Sequence, residues 1–586
     1  RALVAGPLPD RVSGDTFAYR HALLRDAGYA SLARAERADL HVRLARWLEA
    51  AAGAEVDEVA ASVGEHLAAA LASAPGLGAD VVPGVTRAEL AAEAAAWLER
   101  AGDAAVADGA IATAAASYRR AVGLTDGEAP ADDARRLTKL GRALAPTGGV
   151  EEAEDAFARA IDSARRARDA GDRAWRERFA EAVEPLAALL FERIRFVEAW
   201  RLGEDALAEM GDGDDVAAAR VRLARSRGRT GETNDATGWI ADAERAIAAA
   251  ESHGQPGLAY EFRRDLMRAR SEGGTATVED WVAFRSDAEA NGDVATTVSA
   301  RLMEAAYRAE VDPSVVPAIL APARDLAVAR GLVERRGWID HEAADAALGA
   351  GDWDAVLESG LRAVDLGERH GYDRISVRSW SAVLPAASLR AETAVLDHAR
   401  RWFEERAARL PDSPYGRVLH AGAAEWIRAA GIGDAAGGAN VKGEVVDPDH
   451  LRQSFDLWLA MSGYEFVAAT DAIVDGWFRA GHTDWVGELI EAALAATLPP
   501  DSPGLTGAAA FELIRVRHAV ATDAVGADEA ADRIRAAIEP LTRVGIAFWV
   551  ARGLRLLEDV GRATPDEAAR RRAIEARLGV ARSVLG

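Results

Sequence analysis

The sequence predicts an all-α fold of stacked helical pairs, an α-α superhelix (solenoid), and three observations predict it. Of 586 residues 49% are apolar but only 6% are aromatic, so Ala, Leu and Val must carry the packing. Ala is the best helix former, and Leu and Arg follow closely. Apolar residues recur at helical spacing, as in Leu40, Leu44, Trp47 and Leu48, which share one face at i, i+4, i+7 and i+8. Finally, a four-point pattern of small and large residues repeats along the middle of the chain.

From the N-terminus, residues 1–75 form a first region. Loop residues Gly6-Pro7-Leu8-Pro9 and Ser13-Gly14 precede a short apolar run, Thr16-Phe17-Ala18-Tyr19, and helical patterns follow until Gly53, placed as a stop. The stretch Ser73–Thr86 carries Pro75, Gly76, Gly78, Pro83 and Gly84 and marks a boundary.

Residues 87–430 hold the repeats. A tetratricopeptide unit needs a small residue at its eighth position on helix A. On helix B it needs a small residue at position 20, a large one at 24 and a small one at 27. Gly102, Ala114, Tyr118 and Ala121 have those spacings, and Gly141, Ala153, Phe157 and Ala160 repeat them 39 residues on. Weaker copies follow at Ala187, Ala199, Gly203 and Ala206, and at Ala224, Ala236, Ile240 and Ala243. Gly351-Asp352-Trp353-Asp354-Ala355 fits the turn between the helices of a later unit. The spacing exceeds the roughly 34 residues of the strict motif, which implies longer helices and variable loops. The expectation is therefore a tetratricopeptide-like array whose concave groove takes a protein, a peptide or a small ligand. The glycine-rich stretch Gly431–Asp449 predicts a flexible loop or hinge. Residues 451–586 then resume helical pairs, for example Trp477–Ala493 and Ala530–Leu557, divided by Pro499-Pro500-Asp501-Ser502-Pro503.

Charge and missing residue types narrow the function. The net charge of −24 suits no phosphate backbone, whose binding depends on Lys and Arg displacing counterions, so direct nucleic-acid binding is not expected. Without cysteine there is no disulfide, thiolate metal site or thiol nucleophile. No stretch reaches the roughly 20 apolar residues of a membrane span, mean hydropathy is −0.09, and no signal peptide opens the chain. A cytoplasmic protein is the expectation. Its start at Arg1 rather than Met suggests a piece of a longer protein.

Motifs for chemistry are missing. With only Lys139 and Lys442 as lysines, no phosphate-binding Gly-x-x-x-x-Gly-Lys loop exists, and Pro75-Gly76-Leu77-Gly78 lacks the third glycine of a dinucleotide loop. His341-Glu342 could open a zinc-protease helix, but Asp345 stands where the second histidine is required. Asp212, Asp214 and Asp215 lack the spacing of a calcium loop. The expectation is a chain that is no enzyme, with no metal and no cofactor. Of the tryptophans, Trp97, Trp353 and Trp477 fall at core positions of the pattern, and others are candidates to line the groove.

One stretch carries a resemblance. Phe17-Ala18-Tyr19-Arg20-His21-Ala22-Leu23-Leu24-Arg25-Asp26-Ala27-Gly28-Tyr29, continuing through Arg37 to Leu40-His41, resembles the end of the nucleotide-binding module in large bacterial signalling ATPases with helical-repeat sensor tails. Glu65-His66-Leu67 resembles the next helix of that junction. The family includes fusions to adenylyl/guanylyl cyclases and large LuxR-type transcription regulators, in actinobacterial-type versions among others. Gly545-Ile546-Ala547-Phe548-Trp549-Val550-Ala551-Arg552, with Arg577-Leu578-Gly579, resembles the last repeats of the cyclase-linked group.

The resemblance implies a small winged-helix-like N-terminal domain over 1–75. It also implies that His21, in a His-x-Leu-x-Arg-Asp setting, serves as a nucleotide-sensing latch on bound ADP in the full-length protein. The function it implies is a regulatory sensor that relays binding in its groove to an ATPase and a nucleotide cyclase outside this chain. The alternatives are the sensor arm of a LuxR-type transcription activator, or a scaffold that self-associates through its repeats.

Overall fold

The computed structural model describes residues 3–6, 16–19, 22–74, 80–125, 127, 129–211, 213, 215–233, 235–309, 311–406, 414–430, 464–495 and 505–581. His21, Pro75–Gly78, Asp212, Asp214, the stretch 431–449 and the prolines of 499–503 lie outside the described residues. The fold is an all-α helical-repeat architecture in which most helices pack on the next in the chain. Among the described residues no helix is long and apolar enough to cross a membrane. The chain divides into two compact units, Arg1–Ala182 and Val183–Gly586.

The first unit opens with an antiparallel pair of short strands, Leu3–Gly6 and Thr16–Tyr19, with Leu3 opposite Tyr19. Helices α1 (Ala22–Ser31), α2 (Arg34–Ala52) and α3 (Val56–Ser73) follow. A first repeat pair comes next, α4 (Arg87–Ala107) and α5 (Ile111–Thr125), then a second, α6 (Pro130–Leu144) and α7 (Val150–Asp169). Thr86 starts α4 with a capping box: its hydroxyl accepts from the Glu89 amide at 3.2 Å, and its own amide donates to the Glu89 carboxylate at 2.9 Å.

The repeat spacing has a direct physical meaning here. A Cβ placed on Gly102 would lie no more than 2.8 Å from three carbons of the Tyr118 ring. On Gly141 it would lie within 2.7 Å of three Phe157 ring carbons. The small residue at position 8 of helix A is thus the floor on which the aromatic at position 24 of helix B rests.

Helix α8 (Trp175–Glu192) contains the division between the units. The second unit continues with α9 (Phe196–Met210), α10 (Val216–Thr233), α11 (Thr237–Ser252), α12 (Pro256–Glu272), α13 (Val278–Ala290) and α14 (Val294–Ala309). Next come α15 (Val316–Ala329), α16 (Val333–Ala350), α17 (Trp353–His370), α18 (Asp373–Arg390), α19 (Thr393–Arg406) and α20 (Pro414–Ala429). Between α16 and α17 the turn is made by Gly351, whose left-handed backbone (φ +74) stops one helix, and by Asp352, whose side chain caps the next. Trp353 then buries fully as the first residue of α17.

The last helices are α21 (Tyr464–Ala480), α22 (Thr483–Ala495), α23 (Leu505–Ala521), α24 (Ala527–Val544), α25 (Ala547–Asp559) and α26 (Pro565–Leu578). They belong to the same compact unit as the repeats from Val183 onward. Phe548 of α25 sets its ring, tilted by about 55°, 6.1 Å from Trp353 and 6.5 Å from Trp426. Arg390 at the end of α18 donates to the Leu578 carbonyl at 2.7 Å, and the Ala581 amide donates to the Leu389 carbonyl at 2.8 Å.

Candidate functional site

Within the second unit, the first helices of successive pairs share ion pairs along one face. Glu184 of α8 faces Arg227 of α10 at 3.5 Å, and Arg227 also holds Asp265 of α12. Further along the same helices, Glu192 of α8 binds Arg268 of α12 and lies 3.4 Å from Arg374 of α18, which also holds Glu272 of α12. The Arg374 guanidinium lies over the Phe191 ring at 4.8 Å and the Trp338 ring at 5.6 Å, so two aromatic faces and two carboxylates fix its plane.

This cluster floors a half-open cavity that encloses about 1040 Å³, counted out to solvent. Its walls are helical stripes. Helix α16 presents Arg335, Trp338, Glu342 and Asp345 at i, i+3, i+7 and i+10, and α14 presents Leu302, Met303, Ala306 and Tyr307. Trp281 of α13 closes the apolar side, and Arg378 of α18 lies 5.7 Å over Trp338. The α13 and α14 side is therefore aromatic and aliphatic, while α16 sets Trp338 among charged residues.

The electrostatics suit that division. Burial pushes the Glu192 carboxyl up, but Arg268, Arg374 and Arg335 outweigh it and hold the group below the usual carboxylate range, so it stays ionised. Burial raises the Tyr307 phenol well beyond its ordinary value; Ser271, whose hydroxyl is 3.5 Å away, and the Trp281 indole pull the other way. The phenol thus remains a neutral hydrogen-bonding group on the apolar wall.

Of the residues weighed as chemical candidates, Glu342 and Asp345 of the rejected zinc-protease pattern line the cavity. His21 lies outside the described residues. His341 is buried in α16, and its neighbour Glu342 points to the cavity. Trp353 and Trp477 are core residues, while Trp97 is half-buried. Sequence reasoning did not single out Trp338, Tyr307 or Arg374; the helical stripe 335, 338, 342, 345 was the available signal.

A second, smaller cavity, about 310 Å³ counted out to solvent, lies beside Asp471, Arg517 and Arg552. Arg552 of α25 is buried and bonds both Asp471 at 2.5 Å and Asp475 at 2.9 Å, one turn apart on α21. Among the described residues no group of three or more His, Cys, Asp or Glu side chains could hold a metal ion.

No protein-family model matches the chain, and no curated protein matches it. One similar solved structure is a circular tandem repeat protein with novel repeat topology and enhanced subunit contact surfaces. It shares 14% identity over 93% of this chain and 95% of its own, with a TM-score of 0.14. So loose a superposition carries no argument about function.

Proposed function

We propose that this chain is a non-catalytic binding module whose ligand site is the cavity between α8, α12, α14, α16 and α18. The carrying observation is the cavity's construction, with an aromatic wall of Trp281, Tyr307 and Trp338 facing a floor of paired charges. Ligand pockets combine apolar and aromatic walls with a few placed polar groups, and Trp, Tyr and Arg are enriched where binding energy concentrates. The occupant is a peptide segment or compact ligand with an apolar body and polar ends.

In this reading the bound state is relayed through the N-terminal helices to an ATPase and a nucleotide cyclase in the full-length protein. That relay rests on the Phe17–Tyr29 resemblance, and the choice of a cyclase on the Gly545–Arg552 resemblance. The test is a thermal-shift screen of peptides and metabolites against the wild type and Met303→Arg, which places a charged side chain across the cavity. A ligand at 100 times its Kd adds about 2.7 kcal/mol to the folded state. Hits should lose their shift in Met303→Arg while its circular dichroism stays helical; hits that keep it would place binding elsewhere.

A further inference from the structure

Helices α2 and α3 bring two histidines face to face in the first unit. His41 of α2 and His66 of α3 approach with Nδ1 to Nδ1 at 3.0 Å, their ring centroids 5.2 Å apart and tilted by 31°. Two imidazole nitrogens at that distance share one proton, so the lone pair of one is aimed at the nitrogen of the other. The other side of His41 is held as well, since its Nε2 is 2.8 Å from the Tyr29 hydroxyl of α1. The Tyr29 ring is fixed in turn by an edge contact to His41 at 5.7 Å and by the Arg37 guanidinium 5.2 Å over its face.

We propose that His41 and His66 are the two protein ligands of a divalent transition-metal site, taking an ion of the zinc, nickel or copper class in place of their shared proton. Zinc–imidazole bonds of 2.0–2.1 Å in a tetrahedral arrangement put two nitrogens about 3.3 Å apart. Taking the ion therefore opens the pair from 3.0 Å by a few tenths of an ångström and pivots both rings until their lone pairs converge on it. Metal-binding imidazoles characteristically have their second nitrogen held by a polar group, which orients the ring; Tyr29 does this for His41. Both rings are only half-buried, so an ion reaches them from solvent.

Water fills the remaining positions, because among the described residues no third His, Cys, Asp or Glu joins the pair. Two nitrogen ligands and water set a modest affinity that follows the general order, copper above zinc and nickel, with magnesium not bound. The ion would bridge α2 and α3 beneath α1, the segment that carries the resemblance to a nucleotide-binding junction.

The test is isothermal titration of the EDTA-stripped full chain with zinc chloride and copper chloride, with magnesium chloride as control. One equivalent should bind in the micromolar range. His41→Gln and His66→Gln should each weaken binding at least tenfold, Tyr29→Phe should weaken it roughly tenfold, and His253→Gln on a remote surface should change nothing. If a variant misfolds, the imidazole resonances of the wild type decide: on adding zinc, those of His41 and His66 should shift together. Absence of binding, binding indifferent to both histidines, or shifts confined to other histidines would overturn the site.

Discussion

Replacing Gly102 by alanine tests the physical meaning of the repeat motif. The new Cβ would sit no more than 2.8 Å from three carbons of the Tyr118 ring, where ordinary carbon contacts are about 3.5–4.0 Å. The ring cannot swing away, because it is buried and its hydroxyl donates to Asp103 at 2.7 Å. Overpacking of this kind costs roughly 1–3 kcal/mol. Alanine regains about 1 kcal/mol through helix propensity, which leaves a net loss of up to about 2 kcal/mol. Gly123, on the neighbouring helix α5, is the control: nothing lies within 4 Å of its Cβ position. Gly123→Ala should therefore stabilise by up to about 1 kcal/mol. In a unit of this size each kcal/mol moves the midpoint by roughly 2–4 °C, so thermal unfolding should shift down for Gly102→Ala and up for Gly123→Ala. A double-mutant cycle identifies the cause: in a Tyr118→Ala background the Gly102→Ala penalty should vanish. A penalty that persists without the ring would refute the contact as the reason for the motif.

The second unit supplies two further predictions. Arg374→Met leaves Glu272 without its buried guanidinium and removes a partner from Glu192, so chemical denaturation should show a loss of about 3–5 kcal/mol; a loss under 1 kcal/mol would mean the floor of the cavity is solvated. Asp471 makes stability fall with rising pH. Burial and the neighbouring Asp475 carry its carboxyl above the usual range to about 6, against the pull of Arg552. The folded state therefore keeps a proton that the unfolded chain has lost, and stability declines from about pH 4 to pH 6. Asp475 is held below its ordinary value, because Arg552 and Arg517 outweigh its burial, so its contribution is lost only as pH falls below that range. Asp471→Asn should remove up to about 3 kcal/mol of that decline in urea midpoints between pH 4 and 7. An unchanged slope would exclude the carboxyl as its source.

The repeat units were legible because their signal is local. Gly102 with Tyr118 and Gly141 with Phe157 stand 16 residues apart, and a single helix pair satisfies each motif. The turn at Gly351-Asp352 was legible for the same reason. Helix α2 shows where the sequence signal misleads. Its apolar stripe has the period of a helix, but Leu40, Leu44 and Trp47 remain 45%, 39% and 45% exposed, while Ala38, Val42 and Ala45 form the buried face. In an alanine-rich chain helices approach closely enough to select small residues for the interface, and size no longer marks the core. The cavity was illegible for another reason. Its parts run from Glu192 to Arg378 on six helices, and its arginines and carboxylates read as solvated faces until their partners are known. Arg374 and Glu192 are separated by 182 residues.

Those pairs also explain how so acidic a chain uses so much arginine. All but two of its 70 basic residues are arginine, and the buried ones each join several groups: Arg227 bridges Glu184 and Asp265, Arg374 bridges Glu192 and Glu272, and Arg552 bridges Asp471 and Asp475. A planar guanidinium can meet two carboxylates and stack on rings at once, which the point charge of lysine cannot do. A long side chain with a forked head reaches from one helix pair to the next, as Arg227 of α10 does to α8 and α12. Buried ion pairs contribute little net stability, since desolvation offsets their attraction, but a mismatched pair is expensive. Their effect is then to fix which helix packs against which, a choice that the nearly uniform Ala and Leu faces leave open. It follows that the charges beneath the cavity are committed to holding α8, α12 and α18 together. An occupant is selected chiefly by the Trp281, Tyr307 and Trp338 wall, and it meets the ion pairs as fixed dipoles.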